Sequence, residues 1–349
     1  MHSKIRVASL ALALLVIAVA AVPAQEQRPP EGFRFRSGVE LINVTATVSD
    51  EDGRFVPGLR KEDFVVYDDN DRVDVSHFSN ERVPVSLGIL LDTSGSMTPD
   101  KMGSARGAIE RFMDLLGPED EMFLYRFANV PELAQTWTKD KKALSRALNN
   151  LYAGGGTAMY DGIADALPLA ASGGNRKKAI VVISDGNDTS SSTTPRDLKE
   201  MIRQSEVMVY AIGVDGRLNT YSRNPQPRTP FPVPSPIPGR GPRWPFPIPG
   251  TGGGGGRTGP FGMGRAGEGL DANALRQITD DTGGRTEVVH DFADLHGATA
   301  RIADELSKQY YLGYASPGHN DGRWHTIRVE VKDRRLNVRA RRGYTAAQS

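Results

Sequence analysis

Three nearly continuous apolar runs, separated by amphipathic segments, constrain the fold of this chain more than any other feature. The runs are Val85 to Leu91, Ala179 to Ile183 and Val207 to Gly213. Runs of this kind are typical of parallel strands that helices cover on both faces. Apolar residues between and after them recur at three- and four-residue steps, which predicts helices. Residues 83–308 are therefore predicted to form an α/β domain with a doubly wound, mostly parallel sheet flanked by helices.

A proline- and glycine-rich insert interrupts this alternation. Twelve of the 23 prolines lie between Pro225 and Pro260, and five consecutive glycines occupy positions 252–256. Such a composition buries too little apolar surface to offset the entropy of ordering, so residues 216–268 are predicted to be disordered. The helical pattern resumes at Asp271, which places the insert inside the α/β domain.

Both ends of the chain carry β-type alternation. Val39 to Val48 alternates between apolar and polar residues, and Phe64 to Tyr67 has the composition of a second strand. Three further alternating segments follow the α/β pattern: Gln309 to Tyr314, Trp324 to Val331 and Asn337 to Arg341. Because three short strands alone are marginally stable, we expect them to pair with the N-terminal strands. This predicts a small β module built from residues 31–82 and 309–345.

The first 24 residues have the features of a secretory signal peptide. Lys4 and Arg6 precede an apolar run from Val7 to Val22, and a small residue, Ala24, ends the segment. An uncleaved anchor is the alternative, since the run approaches the ~17 residues that can span a bilayer. We predict cleavage after residue 24, which gives an exported protein, periplasmic or secreted, with no stable membrane anchor.

Composition excludes several classes of function. The chain has no cysteine, which excludes a disulfide scaffold, a thiol nucleophile, a zinc–thiolate site and a bacterial lipoprotein anchor. Its formal net charge is +1 at pH 7, so bulk charge predicts no nucleic-acid partner. The sequence also lacks a G-x-S-x-G elbow, so a serine hydrolase is unsupported.

Oxygen-bearing side chains gather at the predicted carboxyl edge of the sheet. Asp92, Ser94 and Ser96 follow the first buried strand, Asp185 follows the second, and Thr157 precedes a predicted helix. Ligands of α/β sheets bind outside the carboxyl ends of the strands, so these five side chains are expected to converge. Two carboxylates and three hydroxyls suit a hard cation such as Mg²⁺ that keeps several waters. A helix-capping turn is the alternative interpretation of the first three residues.

The motif Asp92-x-Ser94-x-Ser96, followed in order by Thr157 and Asp185, resembles the metal-ion-dependent adhesion site of von Willebrand factor type A domains. The resemblance covers about residues 83–308. It implies that the three hydroxyls bind a Mg²⁺ or Mn²⁺ ion directly and that the two carboxylates bind it directly or through water. It also implies that the open position on the ion takes an acidic residue from a partner protein.

The flanking segments resemble the von Willebrand A-related proteins of Acidobacteria. The likeness depends on Val39 to Val48, on Gly58-Leu59 followed by Asp63-Phe64, and on Arg341 to Tyr344. That family is exported and has no assigned biochemical activity, so the likeness indicates fold and location more than biological role.

We therefore predict an exported, non-enzymatic module that captures a carboxylate from a protein partner through the bound ion. Two alternatives stay open: a scaffold in which the ion only rigidifies the loops, and a metal-assisted hydrolase. The hydrolase would need a general base, for which Asp161 and Asp188 are the candidates. The sequence favours a structural role for Asp161 and a solvated loop position for Asp188.

Other charged groups of the sequence are predicted to be solvated. The segment Asp68 to Asp71 lacks the glycine and the terminal glutamate of a calcium-binding loop, which favours a solvated turn. The histidines show no H-E-x-x-H or paired spacing. A basic set near the C-terminus alternates along a predicted strand pair and is interpreted as a solvated sheet face; it comprises Arg334, Arg335, Arg339, Arg341 and Arg342.

Overall fold

The computed structural model describes residues 41–214, 271–319 and 321–346. The predicted signal peptide, residues 1–24, and the predicted insert, residues 216–268, lie outside these ranges. Both stay predictions, and so do the domain boundaries. None of the helices in the described ranges combines the length and the apolarity that crossing a bilayer requires.

The described ranges contain fourteen strands and six α-helices. In chain order, the strands are β1 (Leu41–Ser49), β2 (Phe64–Asp68), β3 (Asp71–Val73), β4 (Val75–Ser79), β5 (Val85–Asp92), β6 (Glu121–Phe127), β7 (Pro131–Thr138), β8 (Lys177–Ser184), β9 (Met208–Val214), β10 (Thr286–Val289), β11 (Tyr310–Ala315), β12 (Trp324–Val331), β13 (Asn337–Ala340) and β14 (Gly343–Thr345). The helices are α1 (Pro99–Leu115), α2 (Lys141–Asn149), α3 (Met159–Ala171), α4 (Pro195–Gln204), α5 (Ala272–Thr279) and α6 (Leu295–Lys308).

A six-stranded sheet in the order β10-β9-β8-β5-β6-β7 forms the centre of the α/β part. All its neighbouring pairs are parallel except β6 with β7. Leu87 of β5 packs in one apolar core with α1, α2 and α6, and Leu90 packs in a second core with α3, α4 and α5. Coverage on both faces explains why the β5 run is apolar throughout. The predicted fold class is confirmed.

Two four-stranded sheets combine the two ends of the chain. Their orders are β13-β1-β11-β4 and β14-β12-β2-β3. β1 pairs antiparallel with β11 and β13, and β12 pairs antiparallel with β2 and β14. Val44, Leu312, Val66 and Ile327 contribute to one apolar core that both sheets share. The predicted pairing between the chain ends is therefore confirmed, in two sheets with a common core.

The sequence analysis does not predict the edge strand β7. This strand is half-buried or exposed along its whole length and pairs antiparallel with β6. The segment lacks the apolar run that marks the buried strands, because an edge strand of this kind has no second neighbour and little cover. Pairing with β6 and the contact of Trp137 with Phe123 hold it in place.

Glu305 of α6 is the centre of a buried polar network between the central sheet and the chain-end strands. Its Oε1 accepts hydrogen bonds from Thr47 Oγ1 of β1 at 3.2 Å and from Tyr210 Oη of β9 at 2.9 Å. Arg339 of β13 pairs with the same oxygen, and Arg285 Nε lies 3.2 Å from Oε2. One carboxylate thus connects α6 with three strands from distant parts of the sequence.

The interpretation of the C-terminal basic set as a solvated face is wrong for two of its members. Arg339 pairs with the buried carboxylate of Glu305. The Arg341 side chain is only 11% exposed, and its Nη1 lies 3.1 Å from Glu206 Oε1. Arg339 of β13 and Arg341, which directly follows that strand, both pair with acidic residues of the α/β part, which alternation along the strand cannot reveal.

Lys177, the first residue of β8, has a buried ammonium group. Its Nζ donates a hydrogen bond to the carbonyl oxygen of Leu306 at 2.7 Å, near the C-terminal end of α6. Burial and the positive charge of Arg82 lower the pKa of Lys177 to about 8, against the negative charges of Asp120 and Glu305, which raise it.

The Lys177 pKa predicts a pH-dependent stability. An unfolded lysine titrates near pH 10.4, so between about pH 8 and pH 10.4 the unfolded chain binds more protons and stability rises with pH. Lys177→Met removes this titration, so the wild type should gain on the order of 2 kcal/mol relative to the variant between pH 7 and pH 10. Urea unfolding at both pH values measures the gain. Lys178→Met, at the neighbouring position, is the control. If the difference in the free energy of unfolding between the wild type and Lys177→Met does not change with pH, the buried ammonium is contradicted.

Candidate metal centre

The candidate site begins at Asp92, the last residue of β5, whose side chain is fully buried. Asp92 Oδ1 accepts a hydrogen bond from the backbone N–H of Ser94 at 2.8 Å, which closes the turn after the strand. Asp92 Oδ2 accepts a hydrogen bond from Ser184 Oγ, at the end of β8, at 2.5 Å. Burial raises the pKa of Asp92, the hydrogen bonds from Ser184 and Ser94 oppose this, and the negative charge of Asp185 adds to it.

A chain of short oxygen–oxygen contacts continues from this turn to β8. Ser94 Oγ lies 2.9 Å from Ser96 Oγ, and Ser96 Oγ donates to Asp185 Oδ1 at 2.6 Å. Neighbouring ligands of an octahedral ion with bonds of about 2.0–2.1 Å lie about 2.9 Å apart. The three side chains therefore already have a spacing close to that of adjacent ligands on one Mg²⁺ ion.

Thr157 approaches the same edge from the loop before α3. Its hydroxyl faces Gly186, where an added Cβ would lie 4.0 Å from Thr157 Oγ1. The loop is connected to the β5 turn through the Gly95 N–H, which donates to the Gly155 carbonyl at 2.8 Å. All five residues predicted for the site thus lie at the carboxyl edge of the central sheet, around the ends of β5 and β8.

The backbone favours glycine at one position of the Thr157 loop, and a side chain at the next position would displace a neighbouring hydroxyl. Gly155 has a φ of +88°, a conformation that other residues rarely adopt. At Gly156, a Cβ would lie 2.1 Å from Ser190 Oγ. The backbone N–H of Gly156 donates to Asn129 Oδ1 at 2.6 Å. These contacts fix the loop that carries the Thr157 hydroxyl to the site.

Lys101 of α1 is a cation at the site that no sequence pattern predicted. Its Nζ lies 2.5 Å from Asp185 Oδ2, donates to the Ser96 carbonyl at 3.0 Å, and lies 5.4 Å from the centre of the Phe292 ring. The signal available in the sequence was the position of Lys101 in the first turn of the helix that follows the Ser96 motif. The ammonium pairs with a carboxylate predicted to bind the ion, so its positive charge competes with a cation for Asp185.

The donor set fits a hard divalent cation. Every predicted ligand offers oxygen, two of the five are carboxylates, and no histidine or thiol takes part, which is the preference of Mg²⁺ and Mn²⁺. The Ser94 and Ser96 hydroxyls can rotate, so lone pairs that now take part in hydrogen bonds can turn toward an ion.

Asp161 and Asp188, the candidate general bases, hold loops together. Asp161 accepts hydrogen bonds from the backbone N–H groups of Ser192 and Thr193 at 2.9 and 2.8 Å, so its structural role is confirmed. Asp188 accepts from the Tyr160 N–H at 2.8 Å and from the Ser191 hydroxyl at 2.6 Å. The prediction of a solvated loop carboxylate at Asp188 is therefore wrong, because its Oδ2 caps the start of α3 and its Oδ1 accepts from the Ser191 N–H.

Comparison with protein families identifies the domain around this site. The family model of the von Willebrand factor type A domain matches residues 86–230, which include all five predicted site residues. No curated protein sequence matches the chain significantly. The narrower likeness to acidobacterial proteins stays a prediction.

Several solved structures are similar to the chain at low sequence identity. The conserved hypothetical protein BatB from Bacteroides thetaiotaomicron is 20% identical, with a TM-score of 0.43 over 64% of this chain and 98% of that one. A von Willebrand factor type A protein from Catenulispora acidiphila is 14% identical, with a TM-score of 0.47 over 90% and 76%. Proximal thread matrix protein 1 from the mussel byssus, with a zinc-occupied MIDAS motif, is 13% identical, with a TM-score of 0.47 over 68% and 49%. Because the TM-scores are below 0.5 and the identities are 20% or lower, these similarities support no inference about ligands.

Proposed function

The chain carries a von Willebrand factor type A domain, and on that premise we propose that it is a binding module that captures a carboxylate of a protein partner through a Mg²⁺ or Mn²⁺ ion. The ligands of the ion are Asp92, Ser94, Ser96, Thr157 and Asp185. The observation that carries the proposal is the convergence of these oxygens, from three separate loops, at one edge of the central sheet.

The charges of the ligand set explain why the ion would take an outside carboxylate. Two carboxylates and three neutral hydroxyls leave it weakly neutralised, and Mg²⁺ keeps positions that water or another ligand can fill. When bound, the ion supplies the electrophilic contact for the partner. The chain itself positions the ligands: the Ser94 N–H and the Ser184 hydroxyl orient Asp92, and Ser96 orients Asp185.

The module is proposed to act outside the cytoplasm and without catalysis. The first 24 residues support export to the periplasm or the medium, with cleavage of the signal peptide. The bonding of Asp161 and Asp188 supports a non-enzymatic role, because both carboxylates nominated as general bases are engaged by loop donors. The scaffold alternative differs in one observable property: a scaffold needs no partner protein bound at the ion.

Capture of acidic partners tests the proposed function. Immobilised wild type is exposed to an extracellular protein fraction with 5 mM Mg²⁺, and bound protein is eluted with EDTA; the Ser96→Ala variant is the matched control. We expect EDTA-eluted partners from the wild type alone. Amidation of the carboxyl groups of an eluted partner should abolish its rebinding. If the wild type captures as much protein in EDTA as in Mg²⁺, metal-bridged recognition is contradicted. If neither the wild type nor Ser96→Ala captures protein, the scaffold alternative takes its place.

Lys101 is expected to weaken ion binding. Its ammonium pairs with Asp185 Oδ2 and so repels a divalent ion at the same oxygens. Lys101→Met removes this charge and should tighten Mn²⁺ binding by about tenfold, about 1.4 kcal/mol. Isothermal calorimetry with Mn²⁺ measures the change. Lys141→Met is the control, because the Nζ of Lys141 donates to the carbonyl of Leu116, the residue that follows α1. An unchanged or weaker affinity in Lys101→Met would show that Lys101 does not compete with the ion.

A further inference from the structure

The chain-end sheets bring together two histidines and two aspartates that the sequence separates by about 250 positions. Asp68 ends β2, Asp69 lies in the turn that follows, His319 lies in the loop after β11, and His325 lies in β12. One ligand atom of each residue lies within 4.8 Å of the corresponding atoms of the other three. We propose that Asp68, Asp69, His319 and His325 form a second metal site, which takes a transition-metal ion of the Zn²⁺ type.

Asp68 provides the first argument, because one of its oxygens is buried without a donor. The Asp68 side chain is fully buried, and Tyr314 Oη and Tyr344 Oη donate to its Oδ2 at 2.8 and 3.1 Å. Among the described residues its Oδ1 has no hydrogen-bond partner, and His319 Nε2 lies 3.9 Å from it, beyond hydrogen-bonding distance. Buried polar atoms in native proteins nearly always have a partner. The orphaned oxygen faces the cluster, where a bound cation would satisfy it.

His325 provides the second argument through the way its ring is held. Its Nε2 lies 3.0 Å from Asp321 Oδ1, and its Nδ1 lies 2.6 Å from Asp69 Oδ2. Metal-binding histidines typically donate their other ring N–H to a carboxylate, which fixes the tautomer and the ring orientation. Asp321 is placed for that role, so Nδ1 is the nitrogen available for an ion. The ion would then replace the proton shared between Nδ1 and Asp69 Oδ2.

The remaining oxygen of Asp69 is already fixed. Asp69 Oδ1 accepts hydrogen bonds from the backbone N–H and the hydroxyl of Thr326 at 2.7 and 3.0 Å. These two bonds hold the carboxylate with Oδ2 toward the cluster. His319 completes the set: its ring stacks on that of His325 with centroids 3.8 Å apart and planes 10° apart. His319 is a loop residue with a side chain 32% exposed, so it can tilt to bring its nitrogen onto the ion.

The chemistry of the donors selects the kind of ion. Two imidazole nitrogens and two carboxylate oxygens suit Zn²⁺ and its neighbours in the first transition row, whereas Mg²⁺ prefers an all-oxygen set. The two metal centres of this chain therefore differ in preference. An ion at the second site would connect the β2–β3 turn with the loop before β12, and binding to the folded state alone would stabilise the chain-end sheets.

Binding of Co²⁺ and Zn²⁺ tests the proposal in a Ser96→Ala variant. This substitution removes a ligand of the first site, so the result does not depend on the proposed function. Tetrahedral Co²⁺ absorbs visible light, and Zn²⁺ displaces it. We expect one Co²⁺ per chain with such a band, and a raised melting temperature with Zn²⁺. Adding His319→Ala should weaken Zn²⁺ binding by at least about 100-fold. Loss of a residue that only supports a ligand costs up to about 100-fold in metal affinity, and loss of a ligand itself should cost at least as much.

The control variants are made in the same Ser96→Ala background. His296→Ala removes a histidine on α6 and should leave Co²⁺ and Zn²⁺ binding unchanged. Asp69→Asn, which keeps the size of the side chain, should weaken binding as His319→Ala does. No Zn²⁺ or Co²⁺ binding at micromolar concentration in the background protein would overturn the proposal. Equal binding by His319→Ala and the background, with both proteins folded by circular dichroism, would overturn it as well.

Discussion

Replacing Glu305 with alanine is expected to destabilise the protein by about 3 kcal/mol, because it removes a buried carboxylate and leaves the partly buried Arg339 guanidinium without its acidic partner. The Glu305 carboxylate is 6% exposed and pairs with Arg339 and Arg285. It also accepts hydrogen bonds from Thr47 and Tyr210, which would lose their acceptor. Urea unfolding monitored by circular dichroism measures the loss.

Asp304→Ala is the matched control for Glu305→Ala. Asp304 precedes Glu305 on α6, is 54% exposed, and pairs only at the surface, with Lys308 at 2.5 Å. An exposed pair of this kind contributes at most about 1 kcal/mol. If Glu305→Ala and Asp304→Ala lose the same free energy of unfolding, the network around Glu305 does not hold the central sheet and the chain-end strands together.

Asp92→Asn is expected to weaken ion binding strongly while it stabilises the ion-free protein. Among the described residues, Asp92 forms no ion pair. Without a bound ion, only hydrogen bonds offset the hydration that its buried carboxylate loses. An asparagine can keep the bond from the Ser94 N–H and donate to Ser184 Oγ, whose proton can turn to the Gly186 carbonyl 3.3 Å away. We expect a gain of about 1 kcal/mol in the free energy of unfolding.

The same variant should lose at least about 100-fold in Mn²⁺ affinity, about 2.7 kcal/mol, because a neutral amide replaces a carboxylate ligand. Calorimetry and urea unfolding on one preparation measure both effects. Asp100→Asn, in the first turn of α1, is the control and should change neither quantity appreciably. Loss of affinity together with loss of stability would indicate general damage to the fold, and retained affinity would exclude Asp92 as a ligand.

The sequence predicted the central sheet and the convergence of the site because both depend on local patterns. Val85 to Leu91 is apolar throughout since β5 is covered on both faces, and the polar residues directly after it must then lie at the carboxyl edge. Thr157 could be placed by the same logic, since glycines and a following helix mark the loop. The positions of these residues follow from strand order and need no knowledge of distant contacts.

The features that sequence reasoning missed depend on contacts between distant segments. Asp68 was predicted to lie in a solvated turn, yet Tyr314 and Tyr344 enclose it, and both come from the other end of the chain. His319 and His325 have no recognisable spacing, because their partners come from the β2–β3 turn. Arg339 follows the alternation of a solvated strand and nevertheless pairs with Glu305. In each case the partner lies more than thirty residues away, and no local pattern encodes it.

The most direct test of the central claim is the anomalous scattering of Mn²⁺ in crystals of the protein grown with MnCl₂. We expect an anomalous peak within bonding distance of the Ser94, Ser96 and Thr157 hydroxyls, beside Asp92 and Asp185, and no such peak in crystals of Ser96→Ala. Manganese elsewhere on the chain with none at this edge of the sheet, at a concentration of several millimolar, would contradict it.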